Sequence, residues 1–411
     1  MTKKHFSDVL NRFQVWLFSL GPGIITAALV FGPSKMTITS KMGADYRYSL
    51  LWVVVLAIFF MIVFTRMSTR IGMVSPISLL SLIRKKFGNK IAVSIGLGIF
   101  LVTASFQAGN SIGVGIAIGE ATETNPLNWV VIFNLLGIVL LFFRSFYKLM
   151  EKLMIALVAI MLFSFLATFF LIEPNVVDVA EGFVPSVPSE SMGLIIAFIA
   201  SCFSLVGAFY QSYLVQERKK SRKSDAPEEN PQSSSTTGIV ILGLMATVVL
   251  ICAGSVLNPQ GLKVNSASEM ALALEPLFGS SAAALFFVGL FGASFSSLVG
   301  NATVGGTLLG DALGYGSNLN IKAVKGFIAL VMIVGAGVAL KFGKLPLELI
   351  VLAQSVTIFL VPFIGVALYL IANDPKIMGN KSNNTFAKIT GAIGLLIVAG
   401  LAISSLINIL I

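Results

Sequence analysis

A single lysine lies beside a glycine–proline pair within a long apolar stretch near the start of the chain. Residues 19–36 read SLGPGIITAALVFGPSKM, so Lys35 directly follows Gly32-Pro33-Ser34. Proline removes a backbone N–H donor and glycine loosens a helix, and the pair therefore predicts an unwound point. Unwound backbone leaves polar groups free to bind a solute. The alternative interpretation is a simple proline kink.

The charge of Lys35 is unusual inside an apolar stretch. A lysine at the centre of a bilayer costs at least about 2.5–3.5 kcal/mol on insertion scales. No Asp or Glu lies near the middle of any apolar run, so the sequence offers no evident internal counter-charge. We therefore expect the counter-charge to be a bound solute. The alternative is a side chain that snorkels to the interface or stays neutral.

Composition places the chain in a lipid bilayer. Of its 411 residues, 56% are hydrophobic and only 11% are charged, and a soluble domain could not bury so much apolar surface. Apolar runs of about 18 residues or more recur along the chain, each long enough to cross the hydrocarbon core. We predict an all-α integral membrane protein. The net charge of +10 does not indicate nucleic-acid binding, because Lys and Arg cluster between the apolar runs.

The apolar runs predict about eleven transmembrane helices, the first and sixth of them broken. The predicted ranges are 14–44, 48–72, 90–118, 127–144, 149–172, 190–217, 238–257, 280–310, 320–340, 345–372 and 385–410. The positive clusters share one side if the N-terminus is cytoplasmic, and an odd number of crossings then places the C-terminus outside. This topology suits a multi-pass protein of the cell membrane, in bacteria the inner membrane. The charged, Pro- and Ser-rich stretch 217–236 is expected to be a cytoplasmic loop.

Motifs for covalent catalysis or nucleotide binding are missing from the sequence. It contains no Walker A loop, HExxH, GxSxG or dinucleotide fingerprint, and no span pairs a nucleophile with a base. Discontinuous helices are typical of secondary transporters, which bind solutes near the bilayer midplane. We therefore predict a transporter rather than an enzyme.

Four segments carry a family resemblance. They are LGPGIITAALVFGPSKMTITSKMGADYRYSLLWV at 20–53, SYLVQER at 212–218, GLFGASFSSLVGNATVGG at 289–306 and VLAQSVTIFLVPF at 351–363. They resemble the NRAMP family of divalent-metal transporters. The resemblance implies the LeuT-type fold, a single domain of two inverted five-helix repeats with helices one and six broken. The repeats would cover about 14–172 and 190–372, followed by an extra helix at about 385–410.

The metal-binding motifs of that family are replaced in this chain. Its helix-one DPGN motif aligns with residues 32–35, and its helix-six MPHN motif aligns with residues 204–207. Gln107 and Asn110 stand where the resemblance implies acidic residues in helix three, whereas Gln354 matches the glutamine of helix ten. Divalent transition metals prefer carboxylate, imidazole or sulfur ligands. Hydroxyls, amides and a permanent cation suit them poorly.

The same positions would suit an anion, because two half-helix N-termini, an ammonium and hydrogen-bond donors would converge there. We predict a small monovalent inorganic or organic anion as the substrate. Bicarbonate is the first candidate, and acetate, formate, nitrate and chloride satisfy the same logic. The predicted substrate-binding residues are Gly32, Ser34, Lys35, Gln107, Ser201, Ser204, Gly207 and Gln354. Ordinary small-residue packing between helices is the alternative for each serine.

Na⁺ is the expected coupling ion, with no other cofactor and no transition-metal site. Ser296 and Ser297 resemble the sodium site of LeuT-type transporters, which carbonyl groups near Ala27 and Ala28 would complete. Helix packing is again the alternative. We expect a monomer. The alternative function is transport of a divalent cation, Mn²⁺ or Mg²⁺, through a modified site, and it requires Lys35 to turn away from the pocket.

Overall fold

The computed structural model describes residues 31–202, 205–221, 231–342 and 346–410. Within these ranges the regular structure is helical, with no strand. The longer helices are α1 (Pro33–Tyr46), α2 (Leu51–Val74), α3 (Leu79–Phe87), α4 (Asn89–Ala121), α5 (Pro126–Leu140), α6 (Arg144–Ile172), α7 (Met192–Cys202), α8 (Leu205–Ser221), α9 (Pro231–Val256), α10 (Ala282–Ala312), α11 (Lys322–Phe342), α12 (Pro346–Val356), α13 (Val361–Ala372) and α14 (Thr385–Leu410). Short helices at Val176–Glu181, Ala267–Ala271, Glu275–Phe278 and Pro375–Met378 lie in the connections.

Each predicted transmembrane range coincides with one of these helices or with a consecutive pair of them. Seven segments of the described chain are long and apolar enough to cross a membrane, and the pair formed by Glu348–Phe359 and Val361–Ala372 makes an eighth with a bend of 46°. The first predicted range is represented by α1, because its residues up to 30 lie outside the described ranges. The all-helical, multi-pass class is therefore confirmed.

The predicted cytoplasmic loop at 217–236 is too long. Helix α8 continues to Ser221 and α9 already begins at Pro231, so helical structure replaces both ends of the expected loop. Arg218, Lys219 and Lys220 fill the last turn of α8. Cations are favourable at that end of a helix, because its carbonyl groups carry a partial negative charge.

The predicted break in the first helix is visible as the start of α1. Gly32 is the N-cap residue, with extended backbone (φ −79°, ψ −178°), and Pro33 is the first helical residue. Proline is favoured at this position because its missing N–H has no partner in the first turn. In the sixth predicted helix, α7 ends at Cys202 and α8 begins at Leu205. The two residues between them lie outside the described ranges.

Helices α4 and α10 pack against each other and run antiparallel. Near one end, Gly96 lies against Ala312, and near the other a methyl group added at Gly113 would lie 2.6 Å from Ser294 Oγ. Glycines at a helix–helix contact let the two backbones approach closely, as is common in membranes. This close pair forms one wall of the cavity described next.

Candidate functional site

A cavity of about 310 Å³, with a mostly apolar wall that also carries several polar side chains, lies at the start of α1. Its wall includes residues of α1, α2, α4, α8, α9, α10 and α12. Five of the predicted substrate-binding residues line it, and they are Gly32, Ser34, Lys35, Gly207 and Gln354. The helix break therefore opens onto a cavity, as expected for unwound backbone at this depth.

The ammonium of Lys35 is hydrogen-bonded to the protein itself. Lys35 is only 6% exposed, and its Nζ donates to the backbone carbonyl of Ser201 at 3.1 Å. No carboxylate of the described residues forms an ion pair with it. Ser201 is one residue before Cys202, the last described residue of α7. The partner of the ammonium found in this part of the chain is therefore a backbone carbonyl group.

Ser201 contributes a different group from the one predicted. Its hydroxyl donates to the carbonyl of Phe198 at 2.9 Å, and the residue is not part of the cavity wall. The prediction of a hydroxyl pointing to a solute is wrong at this position, because the hydroxyl is satisfied within its own helix. Ser204, the other serine predicted here, lies outside the described residues.

Ser34 presents a free hydroxyl to the cavity. The residue is buried, and its Oγ has no hydrogen-bond partner within the part of the chain that the structure describes. Across from it, a methyl group added at Gly109 of α4 would lie 2.9 Å from this Oγ. An unpaired buried hydroxyl costs about 1–3 kcal/mol. Such a group is a good candidate to bind a solute that restores the missing bond.

Gln107 is committed to helix packing. Its Nε2 donates to the carbonyl of Leu298 at 2.9 Å, and its Oε1 accepts from Asn301 Nδ2 at 3.0 Å. It is fully buried and does not line the cavity. The prediction that Gln107 binds the substrate therefore does not match its position, since both ends of the amide join α4 to α10.

Asn110, one turn further along α4, is the residue that reaches the cavity. Its Nδ2 donates to the carbonyl of Ser297 at 3.1 Å. This bond orients the amide and leaves Oδ1 near Gly32, where an added methyl group would lie 3.5 Å from it. A carbonyl oxygen is therefore held beside the helix break.

The predicted sodium site is only partly within the described residues. Ser297 lines the cavity, and its Oγ would lie 2.6 Å from a methyl group added at Gly32. Ser296 is buried, and its hydroxyl has no partner within the described ranges. Ala27 and Ala28 fall outside those ranges. The sodium site stays a prediction.

Several cavity residues did not figure among the predicted substrate-binding residues. Thr65 of α2, Tyr210 and Gln211 of α8, and Asn301 of α10 also line the wall. Each is polar within an otherwise apolar span, and this is the sequence signal that could have identified them. Together with Ser34 and Gln354 they offer hydroxyl and amide oxygens. Within the described chain, no group of three or more His, Cys, Asp or Glu residues is placed to hold a metal ion.

The number of long apolar helices, the bent helix pair and the cavity at the start of α1 define a polytopic membrane protein and are typical of secondary transporters. A family model described as natural resistance-associated macrophage protein-like matches residues 23–408. The chain belongs to this family, NRAMP, a family of transporters, and the resemblance seen in the sequence is confirmed.

Similar proteins agree with this assignment. The divalent metal cation transporter MntH of Deinococcus radiodurans is 24% identical over 390 residues, covering 92% of this chain and 87% of that protein. MntH of Mycobacterium leprae is also 24% identical, covering 91% and 88% of the two chains. The crystal structure of the Eremococcus coleocola manganese transporter matches with a TM-score of 0.77 at 19% identity, over 96% of this chain and 87% of that one. Mhp1, a nucleobase-cation-symport-1 family transporter, matches with a TM-score of 0.61 at 14% identity, over 92% and 90%. These likenesses confirm the predicted LeuT-type fold.

The predicted substrate is contradicted by these relatives. A small monovalent anion, bicarbonate first, moved by symport with Na⁺, was expected, whereas the relatives above are named for divalent metal cations. The error came from treating Lys35 as a charge in need of an external anion. In the structure its ammonium is hydrogen-bonded to the backbone carbonyl of Ser201, so the ammonium has a partner within the protein.

Proposed function

We propose that this chain is a secondary transporter that carries a divalent metal cation, Mn²⁺ or Mg²⁺, across a cell membrane through a modified NRAMP site. The observation that carries the proposal is the hydrogen bond from the Lys35 ammonium to the Ser201 carbonyl at 3.1 Å, which gives the ammonium a partner in the protein although Lys35 lines the cavity. This contact leaves the oxygen atoms of Ser34, Asn110 and Gln354 at the cavity wall. The divalent-cation transporters among the relatives support the same substrate class.

The ligand set favours a cation that keeps part of its water shell. Hydroxyl and amide oxygens are hard ligands, and Mg²⁺ in particular binds through a few protein oxygens while retaining several waters. A cavity of about 310 Å³ has room for an ion with such a shell, since one water occupies about 30 Å³ in the liquid. Without carboxylates, binding is expected to be weak and to rely on oxygen dipoles.

The sidedness of the cavity follows from the charges at the end of α8. The cavity extends along this helix from Val206 to Leu214, toward the exposed cluster Arg218, Lys219 and Lys220. Positive residues accumulate on the cytoplasmic side of a membrane. We therefore propose that the described conformation faces the cytoplasm in an alternating-access cycle, with the N-terminus in the cytoplasm and the C-terminus outside.

The remaining features of the proposal follow from the family. A single domain of two inverted repeats, about 14–172 and 190–372, would move the ion between the two sides, and α14 would be the extra helix. We propose a monomer that acts as a carrier and not as an enzyme. The family consists of transporters, which supports a carrier.

Uptake of Mn²⁺ into proteoliposomes tests the proposal. The purified full-length protein is reconstituted with a trapped metal-sensitive dye, and the dye signal is followed after addition of Mn²⁺ or Mg²⁺ outside. We expect saturable uptake that protein-free liposomes lack, and reduced uptake for the double variant Ser34→Ala, Gln354→Ala. Wild-type protein that is folded in the liposomes but gives no uptake of either ion would show that the substrate is something else.

A further inference from the structure

Two arginines lie one helical turn apart near the C-terminal end of α2. Arg66 is exposed and Arg70 is half-buried, and residues four positions apart are neighbours on the surface of a helix. Among the described residues, neither arginine forms an ion pair with a carboxylate. Like charges at this spacing repel each other, so an anion bound to both arginines would relieve the repulsion.

Neutral side chains next to α2 hold the two guanidinium groups. Nε of Arg66 donates to Thr236 Oγ1 of α9 at 3.1 Å, and Arg70 donates to Oδ1 of Asn383, just before α14. Asn383 is itself fixed, because its Nδ2 donates to Asn373 Oδ1 at 2.7 Å. A guanidinium has five N–H donors. Since these contacts use only a few of them, both arginines keep donors for a ligand.

The face of α2 that carries Arg66 is apolar along the rest of its length. Val55 and Phe59 are exposed, and they precede Arg66 by 11 and 7 residues. These separations correspond to about three and two helical turns, so the three side chains lie on one face. In a membrane-spanning helix, such an apolar face is in contact with lipid chains.

Helix α9 continues this apolar face beside α2. Val240 and Leu244 are exposed and follow Thr236 at intervals of four residues. The two helices are in contact at this level, because a methyl group added at Gly243 would lie 2.8 Å from Ile58 of α2. An apolar stripe is therefore formed by Val55, Phe59, Val240 and Leu244. It leads to the two arginines at one end.

We propose that Arg66 and Arg70 bind the phosphate of an anionic phospholipid whose acyl chains lie along the apolar stripe. The planar guanidinium group matches the geometry of phosphate oxygens, and basic residues at the membrane boundary attract anionic lipids. The stripe favours a lipid over free phosphate, because free phosphate has no chains to place there. This inference is independent of which ion the protein carries.

The lipid site lies directly behind the cavity wall. Thr65 and Ser235 line the cavity, and each is followed in sequence by a partner of the hydrogen bond between Arg66 and Thr236. A phosphate bound to Arg66 therefore acts on a contact between two helices of the cavity wall. The bound lipid would stabilise the packing of α2 against α9.

Native mass spectrometry of the full-length protein in detergent tests the inference. The probes are phosphatidylglycerol, which is anionic, and phosphatidylcholine of the same chain length. We expect the wild type to bind phosphatidylglycerol at least about five-fold more tightly, the effect of one basic residue near an anionic surface. The double variant Arg66→Gln, Arg70→Gln should lose this preference. Thermal unfolding establishes that each variant is folded, and Arg66→Gln alone replaces the double variant if that variant is not.

The matched control is the double variant Lys85→Gln, Lys90→Gln. It also removes two positive charges, from exposed side chains in α3 and α4, the helices that follow the C-terminal end of α2. This control should keep the preference for phosphatidylglycerol. If the wild type shows no preference, or if the two double variants lose it equally, the arginines do not form a lipid site and the inference is overturned.

Inorganic phosphate distinguishes a lipid from a free anion. Added at the same concentration as phosphatidylglycerol, it should leave the bound lipid in place, because it lacks the contacts of the acyl chains with the apolar stripe. Displacement of the lipid by phosphate would show that the arginines bind a free anion, and it would overturn the assignment to a phospholipid.

Discussion

Tyr213 donates a hydrogen bond of 2.6 Å to the carboxylate of Asp311, and both side chains are buried. The tyrosine lies in α8 and the aspartate in the last turns of α10. The phenol oxygen also accepts from the backbone N–H of Leu80 in α3 at 3.2 Å. Arg84 of α3 completes the contact by donating to the carbonyls of Asp311 and Ala312 at 2.9 and 2.7 Å. One polar network therefore joins the helices α3, α8 and α10.

Replacement of Tyr213 by Phe should destabilise the protein. The change removes the hydrogen bond to a buried carboxylate and leaves that carboxylate without its donor, and loss of a hydrogen bond to a charged group costs about 1.5–3 kcal/mol. Thermal unfolding of the purified protein measures the effect. Tyr369→Phe is the control, because its hydroxyl donates to the Lys388 carbonyl at an exposed position. If the unfolding temperature fell equally in the two variants, the buried pair of Tyr213 and Asp311 would have no special role in stability.

Substitution of Gly113 by Ala should disturb the start of α1. The added methyl group would lie 2.6 Å from Ser294 Oγ and 2.7 Å from Pro33 Cβ, so the helices must move apart. Overpacking of this kind costs about 1–3 kcal/mol, and the shift at the helix break should also lower Mn²⁺ uptake into proteoliposomes. Gly98→Ala on the same helix meets no atom within 4 Å and should leave uptake unchanged and stability equal or higher, since alanine favours a helix more than glycine does. A stable, fully active Gly113→Ala variant would show that the contact can relax.

The fold could be predicted in large part because bilayer thickness determines the length of an apolar run. The break at Gly32 was also predictable, since Gly-Pro cannot continue a helix without loss of backbone bonds. The C-terminal end of α8 and the start of α9 could not be predicted in this way. Charged residues such as Lys220 signal the membrane boundary, yet a helix can project beyond it, and hydropathy does not detect that extension.

The site was predicted only in part, because residue types do not determine which partner a side chain finds. Ser34 and Gln354 were placed correctly at the cavity through their alignment with the family. Gln107 was misplaced, since its partners lie on α10, nearly 200 positions away in sequence. The direction of Lys35 depends on the Ser201 carbonyl, 166 residues further along the chain. A backbone acceptor at that separation leaves no trace in composition or spacing.

Removal of the Ser34 hydroxyl should weaken metal binding without a loss of stability. Its Oγ has no hydrogen-bond partner in the described part of the chain, so Ser34→Ala breaks no bond of the empty protein. We expect an unchanged unfolding temperature and a several-fold higher KM for Mn²⁺ uptake, since one oxygen ligand is lost. Ser355→Ala is the control, because that hydroxyl donates to the Val351 carbonyl within its own helix. An unaltered KM would remove Ser34 from the set of ligands.

The ion pair between Lys86 and Asp374 should make part of the stability depend on pH. The two side chains meet at 2.5 Å, with Lys86 in the last turn of α3 and Asp374 two residues beyond the end of α13. The hydrogen bond from Lys86, followed by that from the backbone N–H of Lys376, lowers the pKa of the Asp374 carboxyl below its ordinary value. The folded state therefore binds a proton less readily than the unfolded chain. The resulting stabilisation is complete above the unfolded pKa of about 3.9 and is lost as the pH falls through the lower folded value.

Asp374→Asn tests this dependence, because asparagine can still cap the short helix that follows but cannot ionise. The variant should unfold at a lower temperature than the wild type near neutral pH, and the difference should shrink as the pH falls below about 4. Lys86→Met should show the same convergence with the wild type, since it removes the other half of the pair. A difference that stays constant down to about pH 3 would contradict the prediction, because it would show that the stabilisation does not depend on ionisation of the Asp374 carboxyl.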